Sequence, residues 1–160
     1  LPIETHLIMS KSAELTVHHE LDCSVDEIRA LADVWHPVRH VGASVASGSF
    51  QTRGMLLAPC SIRTLGEITS GVTSSLLTRA ADVILKERRR LVLMVRETPL
   101  HLGHLRNMVA VTEMGAVVAP PVPAFYAKPD SVDAVVTQSV ARALDLFDIT
   151  LPETHRWTES

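Results

Sequence analysis

Two neighbouring side chains of opposite charge, directly after a short apolar run, are the residues in this sequence best suited to chemistry. Arg96 and Glu97 follow five apolar residues, Leu91 to Val95. Such a run between charges predicts a buried strand of a parallel sheet, and ligands of open α/β sheets bind beyond the carboxyl ends of the strands. A guanidinium suits a phosphate oxyanion and a carboxylate suits proton transfer. The alternative is a surface salt bridge between the two residues.

Small hydroxyl residues follow a second predicted strand, 54–58. Pro59, Cys60, Ser61 and Thr64 lie where that strand ends and a helix begins. Backbone N–H groups and hydroxyls at such a point bind an anion or the polar edge of a cofactor. The alternative is ordinary N-capping by Ser61. Cys60 has no positioned base, which favours a buried small residue over a nucleophile.

Three further residues complete a candidate phosphate pocket with Arg96. Lys86 is seven positions after Arg79 on a predicted helix, 76–88, so the two cations share a face among apolar neighbours and are directed either into a pocket or across a subunit boundary. Tyr126 follows three prolines that stiffen its loop, and Arg142 lies beside the apolar stripe of the last helix. Together, Lys86, Arg96, Tyr126 and Arg142 are expected to form a phosphate pocket beside Glu97. A solvated helix face is the alternative, and it suits the run 88–90 better than Arg79.

The elements that must position these residues alternate along the chain. Strands are predicted at 5–9, 54–58, 91–95 and 116–119, and helices at 12–21, 24–32, 61–68, 76–88, 102–114 and 131–147. Ser24 and Glu27 have the spacing of a capping box. The stretch 35–53 is predicted to be a long irregular loop. Alternating strands and helices predict one parallel α/β domain over residues 1–160.

Composition narrows the class of protein further. Hydrophobic residues make up 46% of the 160 residues and aromatic residues only 4%, and the mean hydropathy is +0.19. The apolar surface that a single domain cannot bury is expected in subunit contacts. The net charge of −3 argues against nucleic acid, and no apolar run approaches the roughly 18 residues of a membrane span. Two cysteines and no recognisable signal peptide predict a cytoplasmic protein. The eight histidines show no ligand set with motif spacing, so no metal is expected.

The sequence resembles the flavin prenyltransferases of the UbiX type, which were formerly regarded as components of aromatic-acid decarboxylases. The matching strings run in order through nearly the whole chain: ETHLIMSK, ASGSF, PCSIRTL, LLTRAADVILKERRRLVLMVRETPLHLGHLRNM, GAVVAPPVPAFYAKP and ARALDLF. The resemblance implies a Rossmann-like, flavodoxin-like three-layer sandwich. It also implies metal-independent transfer of a dimethylallyl group, from dimethylallyl monophosphate, to N5 and C6 of reduced FMN. The prenylated FMN would serve UbiD-type decarboxylases, and the enzyme would form a large homo-oligomer, such as a dodecamer, with sites at subunit boundaries.

The resemblance also implies roles for individual residues. Glu97 would transfer a proton around phosphate departure. Phosphate of the dimethylallyl donor would be held by Lys86, Arg96, Tyr126 and Arg142. FMN would be bound by Ser10, Ser47, Gly48, Ser49, Pro59, Cys60, Ser61, Thr64, Arg79, Arg96 and Trp157, with Ser10 and Arg79 near its phosphate and Trp157 closing over the site.

The sequence departs from the family at its start. Members of the family have a strand and a Gly-Ala-Ser-Gly loop before the segment that matches ETHLIMSK, and that loop holds the FMN phosphate. We therefore expect an N-terminally truncated domain that lacks the first, central strand, with unpaired backbone on both neighbouring strands. Two other functions remain open: a non-catalytic flavin-binding or assembly subunit of a decarboxylase, and a direct FMN-dependent decarboxylase.

Overall fold

Helices and strands alternate in a computed structural model, which describes residues 3–152 of the chain. The elements are β1 (His6–Ile8), α1 (Lys11–Glu20), α2 (Val25–Arg29), β2 (Val34–His36), β3 (Gly54–Cys60), α3 (Ile62–Thr69), α4 (Leu76–Lys86), β4 (Arg90–Val95), α5 (Leu102–Glu113), β5 (Val117–Val118) and α6 (Val132–Asp145). Short 3₁₀ turns cover Ser44–Ala46 and Phe125–Ala127. Every strand pair is parallel, so the predicted α/β class is confirmed.

The strands form two sheets rather than the single sheet expected. β1 pairs with β2, and the second sheet has the order β3-β4-β5. Within residues 3–152, β1 and β3 each pair with one strand only, so each keeps one edge without a neighbouring strand. The expected N-terminal truncation stays a prediction.

Two strand predictions need correction. β2 lies inside the stretch predicted to be irregular, because three residues before Pro37 are too few to show an alternating pattern. β3 does not end before Pro59 but continues to Cys60. Its register with β4 shifts between Leu57 and Cys60, and this irregularity accommodates a proline that has no N–H to donate.

The main core lies between the second sheet and helices α3, α4 and α5. β4 is buried from Leu91 to Val95, as its apolar run predicts. The largest fully buried side chains include Leu65, Leu76, Leu91, Leu93 and Val111. A smaller cluster of Met9, Val17 and Val25 lies between β1, α1 and α2. Because β4 is fully covered, the backbone from which Arg96 and Glu97 project has a fixed position.

A pair of histidines connects β1 with β2. His36 is buried, at 8% exposure, and its ring stacks on that of His6 with centroids 5.1 Å apart. His6 Nδ1 lies 2.8 Å from His36 Nε2, and His6 Nε2 lies 2.7 Å from Glu4 Oε1. Burial lowers the pKa of His36, and the nearby His6 and His40 lower it further. The folded chain therefore favours the neutral form of His36.

Stability is expected to fall as the pH drops below 6.5, the ordinary pKa of this group. Unfolded chains bind more protons on His36 there than folded chains do, so the free energy of unfolding decreases, by at most about 1.4 kcal/mol per pH unit for one proton, and the contribution is complete above this range. Urea unfolding between pH 5 and 8 measures the slope. The His36→Gln variant should show a flatter profile, and an unchanged slope in that variant would contradict the assignment.

Candidate active site

Four helices begin at the carboxyl edge of the strands, because α1, α3, α5 and α6 follow β1, β3, β4 and β5. Ser10 caps α1 by accepting from the Ala13 N–H at 3.1 Å, and Ser131 caps α6 by accepting from the Ala134 N–H at 3.2 Å. Helix N-termini carry partial positive charge and exposed N–H groups. This edge therefore favours an anionic ligand.

Arg96 and Glu97 project from this edge and are both exposed. The Arg96 N–H donates to Cys60 O at 3.3 Å, and Glu97 Oε1 accepts from the Thr98 N–H at 3.0 Å. The two side chains form no ion pair with each other, so the surface salt bridge does not exist. Among residues 3–152, no carboxylate pairs with the Arg96 guanidinium. Arg96 and Glu97 thus face solvent together at the end of a rigid strand.

The end of β3 combines a buried thiol with exposed apolar groups. Cys60 has no exposed surface, and burial raises the pKa of its thiol to about 12. The thiol stays protonated, which agrees with a buried small residue and not with a nucleophile. Ala58 and Pro59 are exposed beside it. They present an apolar surface at the edge where the helix N-termini converge.

Ser61 acts as the N-cap of α3, as the capping interpretation predicts. Its Oγ accepts from the Thr64 N–H at 3.1 Å and donates to Thr64 Oγ1 at 3.0 Å. The two hydroxyl residues are therefore occupied with each other. A ligand at this point would meet the capped helix terminus and its remaining N–H groups.

Arg142 lines a cavity of about 150 Å³ between α6 and the segment after β5. Met94, Pro120 and Pro121 form its other walls, so the cavity borders the end of β4. Arg142 Nη1 donates to Asp145 Oδ2 at 2.6 Å. Tyr126 lies in the 3₁₀ turn that leads towards α6 and is 52% exposed. The proline-rich loop thus lines the cavity beside Arg142, and Tyr126 follows this loop in the chain.

A single chain does not bring Lys86 to the edge where Arg96 lies, which leaves the position across a subunit boundary as the open alternative. Lys86 is the last residue of α4, whose end leads into the start of β4, whereas Arg96 follows the end of β4. The six residues of β4 span about 20 Å. The reason is general: a helix between two parallel strands returns the chain to the amino edge of the sheet. Lys86 pairs there with Glu87 and lines a separate open cavity of about 390 Å³.

The remaining predicted FMN ligands are divided between the two edges. Arg79 lies in the first turn of α4, 39% exposed, with Nη1 3.0 Å from Asp82 Oδ2. Ser47 and Ser49 lie near the amino edge, with their hydroxyl oxygens 2.9 Å apart, and flank Gly48, which lies close to the Lys86 side chain. Trp157 lies outside the described residues.

Sequence reasoning missed two residues that shape the site. Arg89, expected on a solvated face, instead donates to two backbone carbonyls of the loop 48–50. Nothing in the local sequence signals this contact. His101 is the N-cap of α5, because its Nδ1 accepts from the N–H groups of Gly103 at 3.0 Å and His104 at 3.4 Å. Histidine is not among the residue types that usually cap helices, so the sequence carries no clear signal for this cap.

Replacing His101 with alanine is expected to lower the free energy of unfolding by about 0.5–2 kcal/mol, because the first turn of α5 loses its side-chain acceptor. His101→Asn restores an acceptor at the same position and should recover most of the loss. Thermal or urea unfolding of the two variants measures the difference. Equal losses in both variants would show that the imidazole contributes by packing rather than by capping.

Two features that would suggest other classes of protein are absent from the described residues. Between positions 3 and 152, no group of three or more His, Cys, Asp or Glu side chains is arranged to hold a metal ion. In the same part of the chain, no helix has both the length and the apolar character needed to cross a membrane.

Comparison with known proteins defines the class and then the family. Residues 2–144 match the family model described as Flavoprotein. The chain is 62% identical to flavin prenyltransferase UbiX of Escherichia coli K12 over 94% of this chain and 80% of the relative. It is 59% identical to the UbiX of Neisseria meningitidis serogroup B over 97% and 82%. The protein is thus an α/β flavoprotein. Within that class, it belongs to the UbiX-type flavin prenyltransferases, and the resemblance seen in the sequence is confirmed.

Solved structures agree with this assignment. The fold matches AnUbiX (PadA1), solved with FMN and dimethylallyl pyrophosphate, at a TM-score of 0.97 and 52% identity, over 99% of this chain and 84% of that one. It also matches a dodecameric FMN-dependent UbiX-like decarboxylase from Escherichia coli O157:H7 at a TM-score of 0.95 and 47% identity, over 98% and 84%. The flavodoxin-like fold class is confirmed.

Proposed function

We propose that this chain joins the dimethylallyl group of dimethylallyl monophosphate to N5 and C6 of reduced FMN. The prenylated FMN then serves as cofactor for UbiD-type decarboxylases. The observation that carries the proposal is the match, at a TM-score of 0.97, to a relative solved with FMN and a dimethylallyl phosphate ester. Arg96 and Glu97, exposed together at the end of β4, supply the chemistry that this reaction needs.

The described residues suit FMN. Its phosphate requires N–H donors and positive potential, which the N-termini of α1 and α3 offer beside Ser10 and Ser61. Arg79 supplies a cation at the start of α4. The flavin ring requires a flat apolar surface, which Ala58 and Pro59 provide at the end of β3.

The candidate site residues have distinct roles in the proposed reaction. Reduced FMN supplies the nucleophilic N5 and C6 atoms when it is bound. Arg96 stabilises the charge that develops on the departing phosphate, together with Arg142, Tyr126 and Lys86. Glu97 moves a proton to or from the departing phosphate oxygen. The buried strand β4 fixes the position of the backbone from which Arg96 and Glu97 project.

The proposed site needs two copies of the chain. Lys86 is separated from Arg96 by the length of β4, which neither side chain spans. A homo-oligomer brings Lys86 of one copy to the carboxyl edge of another, and a relative is dodecameric. Large apolar side chains are exposed on α5 and on the loop after β5, as subunit contacts require: Leu102, Leu105, Val109, Val122 and Phe125.

A non-catalytic flavin-binding or assembly subunit is the alternative function, and it also requires the flavoprotein fold. This alternative gives no role to Arg96 and Glu97, which face solvent and form no ion pair with each other. The cytoplasm as the place of the reaction stays a prediction, based on two free cysteines, Cys23 and Cys60.

The test is the mass of the flavin extracted after anaerobic incubation of the chain with reduced FMN and dimethylallyl monophosphate. A gain of one five-carbon unit is the expected result. A parallel incubation with the diphosphate determines the donor preference. Unmodified FMN from both incubations, with FMN nevertheless bound, would favour the assembly subunit.

A further inference from the structure

The loop 47–50 is held in place by one arginine side chain. Arg89 Nη1 donates to Phe50 O at 2.6 Å, and Arg89 Nη2 donates to Gly48 O at 2.7 Å. Both carbonyls lie about 40 positions earlier in the chain, and the guanidinium is only partly exposed. A planar guanidinium with two parallel donors fixes the direction of two carbonyls at once. The loop is thereby joined to the end of α4.

The end of α4 turns Arg89 towards the loop. Arg88 has φ +57°, in the left-handed region. The Arg89 N–H donates to Ile84 O at 2.9 Å and the Arg88 N–H donates to Leu85 O at 3.0 Å, which together form a Schellman motif. This motif ends the helix in one residue and directs the next side chain away from the helix axis. The position of Arg89 is thus determined by backbone hydrogen bonds.

The loop lies directly against the Lys86 side chain. A Cβ at position 48 would come within 2.7 Å of Lys86 Nζ and 2.8 Å of Glu87 Cδ, so a larger residue there would displace the ends of these two side chains. Lys86 pairs with Glu87, and the ammonium of Lys86 lowers the pKa of the Glu87 carboxyl. The ring of Phe50, in turn, makes an edge contact with His6 of β1, with centroids 5.2 Å apart. The loop therefore joins the first sheet to the lysine at the end of α4.

We propose that Arg89 is a positioning residue, which acts through the loop 47–50 to hold Ser47, Ser49 and the Lys86 ammonium in their binding geometry. The inference rests on the proposed function, in which these groups bind FMN and the dimethylallyl phosphate. Arg89 acts here through the loop rather than through substrate, because its two terminal nitrogens Nη1 and Nη2 are turned towards the carbonyls of Phe50 and Gly48. Losing it releases the loop from α4 and leaves Lys86 without the surface against which it lies.

The test compares Arg89→Ala and Arg89→Lys with the full-length wild-type oligomer. Arg89→Ala should raise the FMN dissociation constant and the KM for dimethylallyl monophosphate about tenfold and lower kcat by less than Lys86→Ala does, because the lysine is retained but no longer held against the loop. The lysine of Arg89→Lys donates to one carbonyl only. Its dissociation constant and KM should therefore fall between those of the wild type and those of Arg89→Ala. Hydrogen exchange of the peptide 44–52 should quicken in Arg89→Ala, and added guanidinium chloride at low millimolar concentration should restore both the exchange rate and the KM.

Arg88→Asn is the matched control, because it removes the same charge from the exposed neighbouring position and asparagine tolerates the left-handed backbone there. It should leave exchange, FMN affinity and KM unchanged. Wild-type exchange in Arg89→Ala, or a loss of affinity that guanidinium does not restore, would overturn the inference and leave the proposed function intact. If the wild type makes no prenylated flavin, the proposed function fails, and FMN affinity with hydrogen exchange still decides the role of Arg89.

Discussion

Glu97→Gln is expected to lower kcat for flavin prenylation by about 10²–10⁴-fold, the usual contribution of a positioned general acid or base. Glutamine keeps the shape of the side chain and can still accept from the Thr98 N–H through Oε1. It cannot carry a proton between the departing phosphate and solvent. Because Glu97 is exposed at the end of a buried strand, the substitution should not alter folding. Single-turnover formation of prenylated flavin measures the effect.

Glu113→Gln is the matched control, since Glu113 is an exposed carboxylate at the end of α5. It should keep wild-type kcat. Both variants should bind FMN with wild-type affinity, which separates a loss of chemistry from a loss of the flavin. If Glu97→Gln prenylates flavin at the wild-type rate, Glu97 has no part in proton transfer and the case for the assembly subunit becomes stronger.

Lys86→Ala and Arg96→Ala are each expected to lower activity at least about 100-fold, because each removes a cation from the departing phosphate. Mixed oligomers of the two variants should recover activity. If every site takes Lys86 from one copy and Arg96 from another, random mixing leaves about a quarter of the sites intact. The recovery follows from the fold, since one chain holds the two residues at opposite edges of its sheet.

The measurement is the prenylation rate of the two variants before and after joint dissociation and reassembly. Reassembly of Lys86→Ala alone is the control for damage during this treatment. A mixture that stays inactive, while reassembled wild type is active, would mean that the two residues do not meet between copies. The proposed composite site would then be wrong, although the prenyltransferase activity itself would stand.

Local sequence determined most of the elements. The apolar run 91–95 between charged residues defined β4 because five consecutive apolar side chains are stable only when both faces of a strand are covered. The capping box of Ser24 and Glu27 starts α2 as predicted, since both partners are three residues apart. Cys60 was recognised as buried, and its high pKa follows from that burial. In each case the pattern that predicts the feature lies within one short stretch of sequence.

The tertiary structure alone decided which of these residues meet. Lys86 and Arg96 are only ten positions apart, but β4 separates them. The edge of the sheet at which α4 ends is set by the crossover between parallel strands and not by any local pattern. The strands divide into two sheets, and the sequence does not show this because strand pairing depends on hydrogen bonds between segments far apart in the chain. Arg89 binds carbonyls 39 and 41 positions away, and no spacing signals such a contact. The sequence by itself determined the types of groups available for chemistry and the elements that carry them, and long-range hydrogen bonding and chain direction decided their arrangement.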